Sequence, residues 1–152
     1  MNDVSVVGVF CDDIRQETAG TVTIVGVYPD NITVPLIPGV LPKLCGYVRM
    51  HLRPDFKPGR IVTRMLSPSG KELSASEAGV QLVDNMLKTA RAEGKPYAGL
   101  VASFAVVQLQ ITEIGRLRLV VTIGEDEYIA AALNVRVAPG QNKDQRTTQI
   151  SN

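Results

Sequence analysis

From Val101 to Val137 the chain repeats one pattern three times, with apolar residues at every second position and short polar breaks between the runs. Val101, Ala105, Val107, Leu109 and Ile111 share odd positions. Leu117, Leu119, Val121 and Ile123 follow Gly115, and Ile129, Ala131, Leu133, Val135 and Val137 follow Gly124-Glu125-Asp126-Glu127. Successive residues of a strand point to opposite sides, so a period of two over runs this long puts one set of side chains on a buried face. The alternate positions Arg116, Arg118, Thr122, Asn134 and Arg136 are polar, as an outer face in water requires. The stretch predicts an antiparallel meander whose apolar side needs a second layer. Its clearest part is a hairpin turning at Gly124 to Glu127, with Leu119, Val121, Leu133 and Val135 inside.

The upstream chain supplies that layer. Val4 to Cys11 is apolar on both alternations, which predicts a central strand covered on two faces, and Thr21 to Tyr28 reads as its hairpin partner. Pro29-Asp30-Asn31 is a turn before a short extended piece, Ile32 to Val34. The prolines between Pro35 and Pro42 argue against a central strand there and for a connection crossing between layers. Leu44 to Arg53 alternates, with Leu44, Val48, Met50 and Leu52 on one side and Tyr47, Arg49, His51 and Arg53 on the other. Arg60 to Leu66 is a strand, and Ser67-Pro68-Ser69-Gly70 is a reverse turn leading into a return strand at Lys71-Glu72-Leu73.

Ser74 to Glu93 reads as the one helix. Ser74 and Glu77 match the S-x-x-E capping box, Val80, Val83, Leu87 and Ala90 form an apolar stripe, and Gly94-Lys95-Pro96 is a stop signal. From Pro139 the pattern collapses into a polar run that cannot offset its own ordering entropy. The sequence thus predicts a single domain over residues 1–138, an antiparallel β-sandwich of about seven to nine strands with one crossover helix, followed by a flexible tail over 139–152.

With 152 residues the chain can bury roughly 70% of its unfolded surface around one core. Sixteen basic against fifteen acidic side chains leave a net charge of +1, which gives no general attraction to nucleic acid or an anionic membrane. Two cysteines without a CxxC spacing and a single histidine are too few for a zinc site of thiolates and imidazoles. The chain opens without a basic leader, and no apolar run approaches membrane-spanning length. These features suit a soluble cytoplasmic protein with reduced thiols. No G-x-S-x-G, phosphate loop or H-E-x-x-H is present, so no catalytic residue, metal or cofactor is assigned.

Two groups of residues remain as candidate sites. Asp12, Asp13, Arg15 and Glu17 form the densest cluster of chemically able side chains, in what reads as a polar connector. They could bind an ion or small ligand, or act as acid and base. Adjacent residues of an extended chain diverge, however, and a loop tied by an ion pair is the commoner origin of such clusters. The second group is the stripe Tyr47, Arg49, His51 and Arg53, with Arg60 and Arg64 on the following strand expected to share its face. Guanidinium groups hold carboxylates in paired hydrogen bonds, so this stripe suits an acidic patch on a protein.

The run FCDDIRQETAGTVTIVGVY, the segment LPKLCGYVRMHL, the SPSG turn and the late GRLRLVVTIGEDEYIAAALNV together resemble a bacterial family of short proteins of unknown function. The resemblance spans Val6 to about Val137. Cys-Asp-Asp-x-Arg-x-Glu and Gly-Arg-Leu-Arg are its most specific parts, and Ala132 stands where the family usually has glycine. The resemblance implies a mainly β domain and carries no activity, cofactor or catalytic residue. What remains is a non-enzymatic interaction or assembly module, with a protein partner or a homo-oligomer as its counterpart, acting through a sheet face or loops. The alternative is a small enzyme or ligand-binding protein using Asp12 to Glu17 together with Arg49, His51 or Arg53.

Overall fold

A computed structural model of the chain describes residues 2–139. The tail expected after Pro139 therefore lies outside the described residues. The strands are β1 (Val4–Gln16), β2 (Val22–Val27), β3 (Asn31–Val34), β4 (Gly39–Leu52), β5 (Ile61–Leu66), β6 (Glu72–Ala78), β7 (Ala98–Ile111), β8 (Gly115–Ile123) and β9 (Asp126–Val137). One helix, α1 (Val80–Ala92), separates β6 from β7. The strands form a four-stranded sheet in the order β2-β1-β4-β7 and a five-stranded sheet in the order β3-β9-β8-β5-β6. The fold is a β-sandwich in which α1 carries the chain from one sheet to the other. All pairings are antiparallel except β3 with β9.

Alternation builds the core. Phe10, Leu44, Val48, Met50 and Leu52 from one sheet meet Ile61, Met65, Leu117, Leu119 and Leu133 from the other, all essentially without solvent contact. The sheets approach closely at Gly46, where an added Cβ would lie 2.9 Å from Leu119 Cδ2 and 3.1 Å from Phe104 Cε2. The β8–β9 hairpin is as the sequence predicts, with Leu119, Val121, Leu133 and Val135 buried and Gly124-Glu125 between the strands.

Two parts of the alternation are misread from sequence. The β8–β9 register shifts between Leu119 and Val120, so Ala130 is an extra residue on β9. Beyond this bulge the parity reverses, Tyr128 packs against the core, and Ile129 turns to solvent. On β7 the inward set is Leu100, Ala102, Phe104 and Val106 up to Val107, and Leu109 and Ile111 beyond it. The change of parity falls at Gln108, whose φ of 50° makes it the one non-glycine among the described residues in the left-handed region. Val101, Ala105 and Val107, expected inside, therefore face water.

Residues 74–78, expected as the first helical turn, belong to β6. Ser74, Ser76 and Ala78 pair with Met65, Thr63 and Ile61 of β5, and Glu77 turns outward onto Arg60 with bonds of 2.6 and 2.9 Å. The capping box does not form, because tertiary pairing with β5 outweighs a local signal worth about 1 kcal/mol. Gly79 occupies the N-cap without a side-chain bond, and the buried stripe reduces to Val83, Leu87 and Ala90. The stop signal holds, since Gly94 adopts φ 64° and Lys95 N–H reaches Ala90 O at 2.9 Å. The proline-rich segment does cross between the sheets, but its end is strand. Pro42 lies within β4, which is central only from Cys45 onward; before that β4 pairs with β7 alone, so a missing donor leaves no gap in a second ladder.

Candidate functional site

The strand registers of the four-stranded sheet fix what its outward face presents. Across β1, β4 and β7, one row carries Ser5, His51 and Gly99, the next Val7, Arg49 and Val101, and the next Val9, Tyr47 and Ser103. A fourth row runs Val27, Cys11, Cys45 and Ala105, and beyond it Lys43 pairs with Val107 and Asp13 with Val25. Cys11 and Cys45 are shut off from water on this face, but the valines around them are not. Val7 is 58% exposed, Val101 48% and Val107 70%.

Charge on this face is sparse. Lys43 Nζ donates to Asp13 Oδ1 at 2.5 Å and Arg15 Nε to Asp13 Oδ2 at 3.4 Å, so both cations of that corner are held by one carboxylate. The Lys43 ammonium, and behind it the Arg15 guanidinium, hold the Asp13 carboxyl below its ordinary range. Arg49 has no hydrogen bond or ion pair with any described residue. It stands between Val7 and Val101, an unpaired guanidinium between two exposed apolar side chains. His51 lies beside Tyr97, ring centroids 6.3 Å apart and tilted by 53°.

The expected stripe survives as Tyr47, Arg49 and His51. Arg53 lies past the end of β4, where its guanidinium bonds Asp3 at 3.3 Å and Asp55 at 3.2 Å, clamping the start of the chain to the turn after β4. Arg60 and Arg64, expected on the same face, belong to the opposite side of the sandwich, because β5 joins the other sheet. There Arg60 pairs with Glu77 and Arg64 Nη1 donates to Thr122 Oγ1 at 3.0 Å. That other outer face is closed differently. Val62 and Val120 point outward yet are buried among their neighbours, Arg64 lying directly across from Val120.

Asp12, Asp13, Arg15 and Glu17 are brought close in sequence but not to one site. The expected connector is mostly the end of β1, so Asp12 and Asp13 point to opposite faces. Asp12 Oδ1 accepts the Tyr28 hydroxyl at 2.5 Å and fills the space above Gly26, where a Cβ would meet its carboxylate at 2.1 Å. Burial first, and then this carboxylate, pushes the Tyr28 phenol up to about 12. Glu17 accepts the Thr23 hydroxyl at 2.7 Å. Asp12 and Glu17 thus have separate structural partners, while Asp13 is shared between Lys43 and Arg15. No group of three or more His, Cys, Asp and Glu among the described residues could hold a metal ion, and no described helix is long and apolar enough to cross a membrane.

Sequence reasoning missed the valines that surround Arg49. Val7 lies on a strand apolar at both parities, and β7 is apolar at both parities too, so neither pattern says which set faces out. The missing signal was the kink at Gln108, which no residue type announces.

The chain belongs to a family of unknown function, DUF6941, whose model matches residues 6–136. No curated protein and no solved structure matches the chain.

Proposed function

For a member of a family without an assigned function, we propose a non-enzymatic protein-binding domain that works through the outer face of its four-stranded sheet. The observation carrying this reading is Arg49, a guanidinium without a partner among the described residues, set between the exposed side chains of Val7 and Val101. An apolar field around one guanidinium fits a protein surface that offers apolar side chains around one carboxylate. Tyr47 and His51 extend the same strip. The setting proposed is the cytoplasm of a bacterial cell, where Cys11 and Cys45 stay reduced. A ligand site built from Asp12, Asp13, Arg15 and Glu17 is the weaker proposal, since Tyr28, Lys43 and Thr23 already engage its carboxylates.

The test places a photo-crosslinking residue at Val7 and, as a control, at Arg116 on the other sheet, in cells that make the protein. Capture at position 7 should fall about tenfold or more when Arg49→Glu is added, the effect of losing an interfacial ion pair worth about 1.5 kcal/mol or more. Equal capture at 7 and 116, or capture at 7 indifferent to Arg49→Glu, overturns the reading.

A further inference from the structure

A sandwich with two open sheets has four edges, and three of them here are guarded or flanked; where β2 stops at Cys11, the remaining edge Val4–Phe10 of β1 lies against β9, a Cβ at Gly8 coming within 3.1 Å of Ala130 Cβ. The edge strand β2 is short and is interrupted at Gly26, which adopts φ 67°. At the far edge of the other sheet β3 has four residues and runs into Pro35. Strand β6 carries Glu72 and Glu77. Short length, backbone kinks, prolines and charges are the devices by which proteins keep a row of unpaired amides from templating another strand.

The fourth edge, β7, has none of these before Gln108. It is 14 residues long, AGLVASFAVVQLQI, without a charged residue or a proline. Its outward residues Val101, Ser103, Ala105 and Val107 are exposed, and its inward residues Ala102, Phe104 and Val106 are only half buried, whereas Leu44, Val48 and Met50 on neighbouring β4 are closed to water. The opposite sheet's edge, β6, runs nearby without a ladder to β7, and clefts of about 310 and 210 Å³ open along the seam between them.

From this edge we infer that β7 is the pairing strand of a twofold dimer, joined antiparallel to β7 of a second copy so that two four-stranded sheets become one continuous sheet. A second copy is the occupant that the composition fits. A twofold axis sets residues near it against their own counterparts, and like charges opposite each other destabilise a ladder, so a self-pairing strand must be neutral. Charge-free β7 meets that condition, while β6 with its two glutamates does not. With the axis at Phe104, Val101 lies opposite Val107 of the partner, Ala102 opposite Val106, Ser103 opposite Ala105, and the two Phe104 side chains meet. The register ends where Gln108 breaks the alternation. This edge borders the Arg49 strip at Val101, and dimerisation sets two such strips side by side on one face.

The experiment reads oligomeric state by analytical ultracentrifugation and native mass spectrometry. Wild type should be a dimer. Val101→Lys, which also meets Arg49 across the ladder to β4, and Val107→Glu, set across from a Lys43 already held by Asp13, each put a charge against an apolar partner and should raise the dissociation constant about tenfold or more. The combined variant places Glu opposite Lys twice and should recover most of the loss; within one chain the two positions are too far apart to pair. Arg49→Glu should leave the dimer intact, which separates this inference from the binding-face reading. A monomeric wild type, unaffected single variants, no recovery in the combined variant, or a dimer abolished by Arg49→Glu each overturns the inference. Should a single variant fail to fold by circular dichroism, amide exchange of the wild type decides. Protection over residues 101–107 that falls on dilution supports the pairing, and protection indifferent to dilution overturns it.

Discussion

Cys11 and Cys45 lie directly opposite each other on β1 and β4, on the outward side of the sheet, and neither is open to water. Cys45 Sγ donates to Asp12 O at 3.6 Å. Burial, then the neighbouring Cys45 and the Asp12 and Asp13 carboxylates, push the Cys11 thiol up to about 11, and burial raises Cys45 as well. A thiol must ionise to attack, so both should react with a disulfide reagent at pH 8 far more slowly in the native protein than in denaturant, a difference that a colorimetric thiol titration reads directly. The sign of the pH dependence follows. Folded Cys11 keeps its proton above the ordinary value of 9.0, where the unfolded chain has begun to lose it, so stability is unaffected below that pH and declines from there to about 11. The slope for one proton is at most about 1.4 kcal/mol per pH unit. Urea melts between these values should show the decline in wild type and a smaller one in Cys11→Ala.

At the scale of elements, the junction of β6 and α1 tests what local signals are worth. Ser74 and Glu77 have the spacing of a helix start, yet the structure uses Ser74 in a ladder and Glu77 in an ion pair. Ser74→Ala should therefore cost well under the roughly 1 kcal/mol of a lost N-cap, and helical circular dichroism should be unchanged. A loss of that size accompanied by reduced helicity would show that the cap forms in solution. The same scale explains which elements were legible. β4 from Tyr47 on and β8 up to Leu119 were readable because polar and apolar residues alternate there, so Arg49 and Leu119 could be assigned to opposite faces. β7 and β9 were not fully readable because one residue in each resets the parity, and alanines and valines at both parities hide the reset. Nothing in the residues Gln108 or Ala130 distinguishes them from ordinary strand positions; Ala130 forms a bulge, while Gln108 takes a left-handed φ without any shift of register.

For the whole molecule, the two-layer architecture and the single crossover helix were legible, while the membership of each sheet was not. Arg60 and Arg64 were expected beside the Arg49 strip because neighbouring strands in sequence usually neighbour in space. The segment after β4 instead changes layers, and that placement depends on contacts distant in sequence. The unguarded edge of β7 was equally invisible, since an edge is defined by what does not pair with it. One pairing has a further consequence, in the time domain. β3 lies parallel to β9, with Asn134 Nδ2 bonded to Asn31 Oδ1 at 3.3 Å across 103 residues. The five-stranded sheet thus joins the last of the described strands to an early one, and during synthesis β3 waits without its neighbour until β9 has left the ribosome. Such long-range closure slows folding because the entropy of the loop is lost before the contact is gained. Refolding followed by stopped-flow fluorescence of the tyrosines should take milliseconds to seconds, with amide protection on the local β8–β9 hairpin preceding protection on β3.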